Sequence, residues 1–101
     1  MHSNDAQMLV LTVLAGGPRH GYAVNTEIEA LTGSRLGPGS LYGALARLEA
    51  RQLIEPAPDG TQERQRAVRI TAAGRETLRA ELERMARVAE AGLRALGGSP
   101  A

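Results

Sequence analysis

The chain of 101 residues contains no cysteine, no phenylalanine and no tryptophan. Without cysteine it has no disulfides and no thiolate chemistry. Hydrophobic residues make up 43% of the chain, so a core can form, but only from leucine, alanine, valine and isoleucine. A single small domain this poor in large side chains is only marginally stable. We therefore expect stability to be shared with a second copy of the chain in a dimer.

Long apolar runs and leader-like features are also missing. No stretch approaches the roughly 18 uninterrupted apolar residues that a membrane span needs. The start of the chain, residues 1–5, lacks the basic region and following apolar run of a secretory signal. These absences predict a cytoplasmic protein without a membrane partner.

Lysine is absent as well, so all 12 basic residues are arginine, against 11 acidic residues and a net charge of +1. This balance argues neither for nor against nucleic acid. Arginine gives bidentate contacts to phosphate or guanine, but it also forms ordinary surface ion pairs. The arrangement of the charges is therefore more informative than their total.

The most informative pattern is a segment rich in glycine that opens a helix. Residues 37–42, Gly-Pro-Gly-Ser-Leu-Tyr, run into residues 43–49, Gly-Ala-Leu-Ala-Arg-Leu-Glu. Proline is tolerated in the first turn because the amides there have no partner inside the helix. We predict a helix over about residues 38–52, with an inner stripe of Leu41, Leu45, Leu48 and the following Leu53.

The outer side of this helix is thin and mostly small. It carries Tyr42, Gly43, Ala46, Arg47 and Ala50. A helix with one buried face and one low-relief face tipped with donors can enter a groove of DNA.

Two other helices are predicted before this one. Asn4 and Gln7 are spaced like a capping box, and residues 8–15 are apolar almost all round, as in a helix buried on more than one side. A partner subunit would most simply cover the second side. A second helix follows over about residues 20–31, and its inward set is Tyr22, Val24, Ile28 and Leu31. Three helices with short glycine-containing links match a helix-turn-helix.

A short hairpin is predicted next. Residues 53–56 form one strand, which Pro56 ends or forces to an edge, and residues 58–61 have the Asp-Gly chemistry of a turn. The return strand covers residues 64–70, with Arg66, Val68 and Ile70 on one face. A hairpin directly behind a helix-turn-helix is a wing.

The last predicted helix is long, with Thr71 as its cap and its end near Leu96. A helix of about 25 residues is about 37 Å long, more than the small domain can cover. Its apolar and small residues follow a heptad-like spacing at Leu78, Leu82, Met85, Ala89, Gly92 and Leu96, flanked by Val88 and Leu93. Part of this seam must face another chain.

Together these pieces resemble the PadR family of bacterial transcriptional regulators. The matching segments are residues 14–22, 37–49, 53–54 and 69–74, in the family's order and spacing over roughly residues 8–82. The chain departs from the family at Gly43, where proline is common, and at residues 67–68, where the family's strand is rich in tyrosine.

The resemblance implies a mainly α fold with a small β-hairpin. A winged helix-turn-helix DNA-binding domain would occupy residues 1–71, a C-terminal dimerisation helix residues 72–97 and a disordered tail residues 98–101. The single C-terminal helix is similar to that of the shorter subgroup of the family. Such proteins are mostly homodimeric repressors that bind an inverted-repeat operator and are released by a small-molecule or stress signal.

Three predicted DNA contacts lie on the third helix. Ser40 and Tyr42 stand at its start, where free amides and hydroxyls can hold a phosphate, and Arg47 lies one turn further along. Each has a local alternative: Ser40 caps the helix, Tyr42 packs on the second helix, and Arg47 pairs with Glu49 or Glu27.

The other predicted DNA contacts surround that helix. Gly43 gives close approach to the groove. Arg64 and Arg66 near the wing reach phosphate or the minor groove, with solvated strand charges as the alternative. Arg19 and His20 precede the second helix and touch the backbone, although the ring of His20 can instead pack between the second and third helices.

The predicted dimer interface joins the first and last helices: Met8, Leu11, Leu78, Leu82, Met85, Val88, Ala89, Leu93 and Leu96. A small-molecule effector could sit among Met8, Leu11, Met85 and Val88, with a dry dimer core as the alternative role. No cofactor and no metal site is expected, because the chain has two isolated histidines and no cysteine.

The same residues bear on two other classes of function, catalysis and protein interaction. Catalysis is not expected, because Ser40, His20 and Asp59 lie on two helix starts and a wing tip with no implied oxyanion donors. A winged-helix module for protein interaction stays open as the alternative, since residues 1–70 hold seven arginines against seven acidic residues.

Overall fold

Four helices and a two-stranded hairpin follow one another in the predicted order. The structure, a computed structural model, describes residues 3–58 and 67–97. Its elements are α1 (Ser3–Leu14), α2 (Gly21–Thr32), α3 (Pro38–Ala50), β1 (Ile54–Pro56), β2 (Val68–Ile70) and α4 (Ala72–Ala95). The predicted mainly helical fold with a small hairpin is confirmed. The predicted tail at 98–101 lies outside the described residues.

Helix α1 lies at the centre and packs against α2, α3, α4 and β2. Its side chains Val10, Leu11 and Leu14 are at most 1% exposed. The expectation of burial on more than one side is confirmed for this helix. The prediction that a partner subunit covers its second side is wrong at Leu11, because the chain's own helices and strand already enclose that residue.

The N-terminal part of α1 differs from the capping-box prediction. Ser3 already belongs to the helix, so Asn4 lies inside it rather than at its N-cap. The side chain of Gln7 is buried and accepts a hydrogen bond of 2.5 Å from Arg51 Nη1. Gln7 therefore connects α1 to the residue that ends α3.

The inward face of α2 consists of Val24, Asn25 and Ile28. Tyr22 and Leu31 were predicted to be inward, but they are 75% and 59% exposed. Tyr22 precedes Val24 by two residues, a rotation of about 200° that places it on the opposite side of the helix, and Leu31 lies in the last turn. The buried polar residue Asn25, which the sequence pattern did not indicate, takes part of the inner face.

The link between α3 and the hairpin is a tight turn. Arg51 caps α3, Gln52 adopts a φ of 62°, and the Leu53 amide returns to the Leu48 carbonyl at 2.9 Å. Within α3, Leu41, Ala44 and Leu48 are buried and Leu45 is half-buried, in agreement with the predicted stripe.

The hairpin is shorter than predicted where it is described. β1 and β2 pair antiparallel with Ile54 opposite Ile70. The segment before α2 adds a bridge, in which the Arg19 amide donates to the Val68 carbonyl at 3.1 Å and the Val68 amide donates to the Arg19 carbonyl at 2.9 Å. The predicted turn and the first part of the return strand, including Arg64 and Arg66, lie outside the described residues.

Helix α4 begins as predicted, with the Thr71 hydroxyl accepting from the Gly74 amide at 3.0 Å. Leu78 is buried against the core, whereas every residue from Leu82 to Gly97 is exposed. The helix therefore extends beyond the body of the chain, whose principal dimensions are 56 × 26 × 21 Å. Within the described residues, no helix is both long and apolar enough to cross a membrane.

Among the glycines of the described residues, Gly74 lies closest to neighbouring backbone. A Cβ atom added there would lie 2.2 Å from the Leu53 carbonyl oxygen and 2.7 Å from Ile70 Cγ1. Both distances are far inside van der Waals contact. The first turn of α4 can therefore pack on the α3–β1 turn only with glycine at this position.

Gly74→Ala is expected to lower the free energy of unfolding by about 1–3 kcal/mol, because the new methyl group overpacks a site bounded by backbone. Thermal unfolding followed by circular dichroism measures the change. The control is Gly39→Ala, since a Cβ there meets no atom within 4 Å. An unchanged melting temperature for Gly74→Ala would contradict the close packing of α4 on the Leu53 carbonyl.

Candidate nucleic-acid interface

The outward face of α3 is the surface that the sequence predicts to meet DNA. Ser40, Tyr42, Ala46, Arg47 and Ala50 are exposed along it. The N-cap, Gly37, is in an extended conformation and has no side chain to accept hydrogen bonds from the first-turn amides. An exposed helix start of this kind favours an anion such as phosphate.

Tyr42 packs on α2 and still reaches the surface. A Cβ atom built at Gly21 would lie 3.4 Å from Tyr42 Cε1 and 3.7 Å from its hydroxyl, so the ring lies against the start of α2 at ordinary van der Waals distance. Tyr42 nevertheless remains 57% exposed. The packing alternative is thus observed, and DNA contact by the exposed part stays a prediction.

Arg47 lies back along α3 over the small residue Gly43, with its Nη1 atom 3.4 Å from a Cβ built at that glycine. Within the described residues, Arg47 forms no ion pair, and Glu27 is paired with Arg19 instead. This face therefore combines a shallow surface at Gly43 with the exposed guanidinium of Arg47.

The two predicted residues before α2 differ in their surroundings. The Arg19 side chain is held by the Glu27 carboxylate and by the Gly17 carbonyl, which accepts from Nη1 at 2.6 Å. Contact of Arg19 with DNA would require release from these partners. His20 is the N-cap of α2, its ring makes no cap hydrogen bond, and the residue is exposed. The predicted packing of His20 between helices is therefore not observed.

Two residues that sequence reasoning missed stand beside this face. Arg35 lies in the loop before α3, with its Cζ atom 5.8 Å from the centroid of the Tyr22 ring. Its Nη1 atom lies 2.9 Å from Glu29 Oε1. The spacing of two residues between Tyr22 and Val24 turns them to opposite sides of α2, and this spacing could have predicted that Tyr22 lies at the surface.

The predicted dimer residues separate into two groups. Leu11 and Leu78 are buried within the chain's own core, at 1% and 5% exposure, so their assignment to the dimer interface is wrong: almost none of their surface is left for a partner subunit. Met8 is half-buried. The exposed members all lie on α4 and form what we call the α4 seam: Leu82, Met85, Val88, Ala89, Leu93 and Leu96.

A cavity of about 520 Å³ lies between α1 and α4, and we call it the α1–α4 groove. Its lining residues are Gln7, Met8, Leu11, Arg51, Thr77, Ala80, Glu81, Arg84 and Arg87. Hydrogen bonding from Arg84 lowers the pKa of the Glu81 carboxyl below its usual value, because the Nε–Oε1 distance is 2.8 Å. The groove thus combines an apolar floor from α1 with three guanidinium groups.

The model of the PadR-like family of transcriptional regulators matches residues 10–80. The chain belongs to this family. The matched region includes α2, α3, the hairpin and the start of α4. PadR-like proteins are DNA-binding transcriptional regulators and not enzymes, so the site described above belongs to a regulator.

Solved structures and one curated relative extend this result. A PadR-like transcriptional regulator from Bacillus cereus has a TM-score of 0.79 at 21% identity, with 92% of each chain covered. A transcriptional regulator from Clostridium thermocellum has a TM-score of 0.77 at 23% identity, with 90% of this chain and 89% of that chain covered. At these identities the likeness shows the fold alone.

The curated relative is a 37.1 kDa protein in transposon TN4556 of Streptomyces fradiae. It is 60% identical over 88 residues, which are 87% of this chain and 25% of that protein. The chain therefore spans about a quarter of the length of this relative.

Proposed function

We propose that this PadR-like chain is a homodimeric repressor that binds an inverted-repeat operator in the cytoplasm. The observation that carries the proposal is the exposed, low-relief face of α3, on which Ser40, Tyr42 and Arg47 surround Gly43. Such a helix fits the major groove, and two copies related by a two-fold axis read half-sites about one helical turn apart.

The same face suggests how affinity and specificity are divided. Phosphate contacts by arginine and by first-turn amides supply most of the affinity, so binding weakens steeply as salt rises. Ala46 and Ala50 offer no hydrogen bonds to base edges, which leaves Arg47 as the main candidate for direct readout. DNA shape and half-site spacing then contribute much of the specificity.

Dimerisation through the α4 seam is supported by apolar side chains that remain exposed in a single copy of the chain. Val88, Leu93 and Leu96 are each more than 60% exposed, and they lie on one long helix together with Leu82 and Met85. Exposed apolar residues in this contiguous arrangement mark an interaction surface. A second copy fits best, because an isologous contact covers both seams at once.

We further propose that a small-molecule effector acts through the α1–α4 groove. Arg51, Arg84 and Arg87 favour an anionic group, and Met8 and Leu11 favour an apolar body. Arg51 is also the C-cap of α3 and donates to Gln7. An anion that draws Arg51 away from Gln7 would therefore disturb the end of the recognition helix and release the operator.

The chain should bind a duplex from its own promoter region more tightly than a random duplex of equal length. Arg47→Ala should lose about 1–3 kcal/mol on the promoter duplex if Arg47 reads a base, and little on the random duplex. Fluorescence anisotropy at two salt concentrations measures both.

Equal binding of the wild-type chain to both duplexes would contradict a specific operator. Failure to bind any duplex at low salt, with a protein partner recovered instead, would favour the winged-helix interaction module. A loss for Arg47→Ala that is equal on both duplexes would assign Arg47 to phosphate alone.

Leu82→Glu should convert the dimer to a monomer, because it places a charge in the α4 seam where no partner charge compensates burial. Light scattering measures the mass, and Glu83→Gln at the next position, outside the seam, serves as the control for a charge change on the same helix. A dimer that survives Leu82→Glu would mean that the copies associate elsewhere.

An anionic, partly apolar probe should bind in the α1–α4 groove. We expect 8-anilinonaphthalene-1-sulfonate to bind the native chain with enhanced fluorescence and Arg87→Gln to weaken this binding. Arg94→Gln removes the same charge from α4 outside the groove and should leave it unchanged. Equal weakening by both variants would indicate that the dye responds only to overall charge.

A further inference from the structure

Three side chains on the outer side of α2 form a connected group, which we call the Arg35 cluster. Arg35 reaches back from the α2–α3 loop, stacks over the exposed ring of Tyr22 at 5.8 Å and pairs with Glu29 at 2.9 Å. Stacking on an aromatic face and pairing with a carboxylate both restrict the guanidinium. The guanidinium of Arg35 is therefore restrained by two neighbours while it stays in contact with solvent.

The Arg35 cluster borders the outward face of α3. Arg35 precedes the N-cap Gly37 by two residues, and Tyr22 follows Gly21, the residue on which the Tyr42 ring packs. The Tyr22–Arg35 stack and the start of the recognition helix thus lie side by side.

The backbone that carries Arg35 is fixed from inside the domain. The side chain of buried Asn25 donates to the Leu36 carbonyl and accepts from the Leu36 amide, both at 2.9 Å. Leu36 is itself buried. Because the next residue in the chain is anchored in this way, the backbone of Arg35 is held in place relative to α3.

The ion pair of Arg35 differs from that of the other arginine near α2. Arg19 has a less exposed side chain and is held by Glu27 and by a backbone carbonyl as well. The Arg35–Glu29 pair is about half-exposed on both sides. An exposed pair of this kind is weak and is screened by salt, so a phosphate can replace the carboxylate.

We propose that Arg35 contacts a DNA phosphate at the flank of the recognition helix, and that Glu29 competes with the phosphate for Arg35. Tyr22 acts as a positioning residue, because its ring holds the guanidinium beside the start of α3. The proposal rests on DNA binding through α3. It adds a phosphate contact by Arg35 and a competitor for that contact, Glu29.

The competition lowers the affinity for DNA of any sequence. When a phosphate takes Arg35, the Glu29 carboxylate loses its partner close to another negative charge. Operator and random duplexes meet the same opposition, because a phosphate contact carries no sequence information. Glu29 therefore lowers both affinities by the same factor and leaves their ratio unchanged.

The test uses the full chain and a random duplex of fixed length, with anisotropy measured over a range of salt concentrations. Glu29→Gln should tighten binding by roughly twofold to fivefold at low salt, the range for an exposed pair. Arg35→Gln should weaken binding and reduce the salt slope by about 0.9, the value for one phosphate contact. Tyr22→Leu should weaken binding in the same direction, because the stacking surface is lost.

The double variant Glu29→Gln with Arg35→Gln separates competition from general repulsion. If Glu29 acts by holding Arg35, the double variant binds like Arg35→Gln alone. Equal tightening by Glu29→Gln with and without Arg35 would overturn the competition. Glu90→Gln is the matched control, since it removes the same charge from an exposed pair on α4 and should not change binding.

The remaining outcomes also decide. If the wild-type chain binds the duplex but Arg35→Gln keeps its affinity and salt slope, the phosphate contact is wrong and DNA binding through α3 stands. If Tyr22→Leu binds like the wild type, the positioning role is wrong. If the wild-type chain binds no duplex even at low salt, both this proposal and the proposed function fail together. Unchanged melting temperatures confirm that the exposed substitutions leave the fold intact.

Discussion

The fold depends on the burial of the apolar face of α1 around Val10, Leu11 and Leu14 by the rest of the chain. With no phenylalanine or tryptophan to fill space, the core is built by surrounding one aliphatic helix with α2, α3, α4 and β2. Burying three or four aliphatic side chains to near-zero exposure contributes several kcal/mol, which is a large part of the stability of a domain this small. Because α1 is central, the other elements of the chain cover most of its apolar surface. The surface left for a second copy therefore lies mainly on α4, with a smaller share from half-buried Met8 and Leu9.

Both ends of α3 are fixed to that core by polar contacts. At the start, Asn25 holds the backbone of Leu36, and at the end Arg51 donates to Gln7 of α1. Beyond Arg51 the chain turns through Gln52, whose carbonyl accepts from the Thr71 hydroxyl at 2.8 Å. The orientation of α3 is thereby linked to α2, α1 and α4 separately. Of these contacts, the one between Arg51 and Gln7 also lines the α1–α4 groove. An anion bound in the groove would therefore act on the end of α3 directly.

Much of this arrangement follows from local signals in the sequence, and the failures have identifiable causes. Helix boundaries could be predicted because glycine, proline and the Thr71 cap act over one turn. The leucine stripe of α3 could be predicted because its spacing is regular. The errors at Tyr22 and Leu11 concern which neighbour covers a helix face, which depends on the packing of distant elements. The Asn25–Leu36 and Arg51–Gln7 contacts could not be predicted either, because a polar residue at an inward position has no periodic signal that names its partner.

The near-neutral charge is compatible with DNA binding because of how the arginines are held. Within the described residues, Arg19, Arg35, Arg69, Arg84 and Arg94 each have a glutamate partner, so much of the positive charge is neutralised in the unbound chain. Exposed pairs of this kind are weak, and a phosphate can take the place of a glutamate where the guanidinium already faces the ligand. More arginines can then contact phosphate than the net charge suggests, because an arginine becomes available when a phosphate displaces its glutamate. Each exchange leaves a carboxylate unpaired, so every phosphate contact of this kind contributes less to the affinity than a contact by an arginine without a partner.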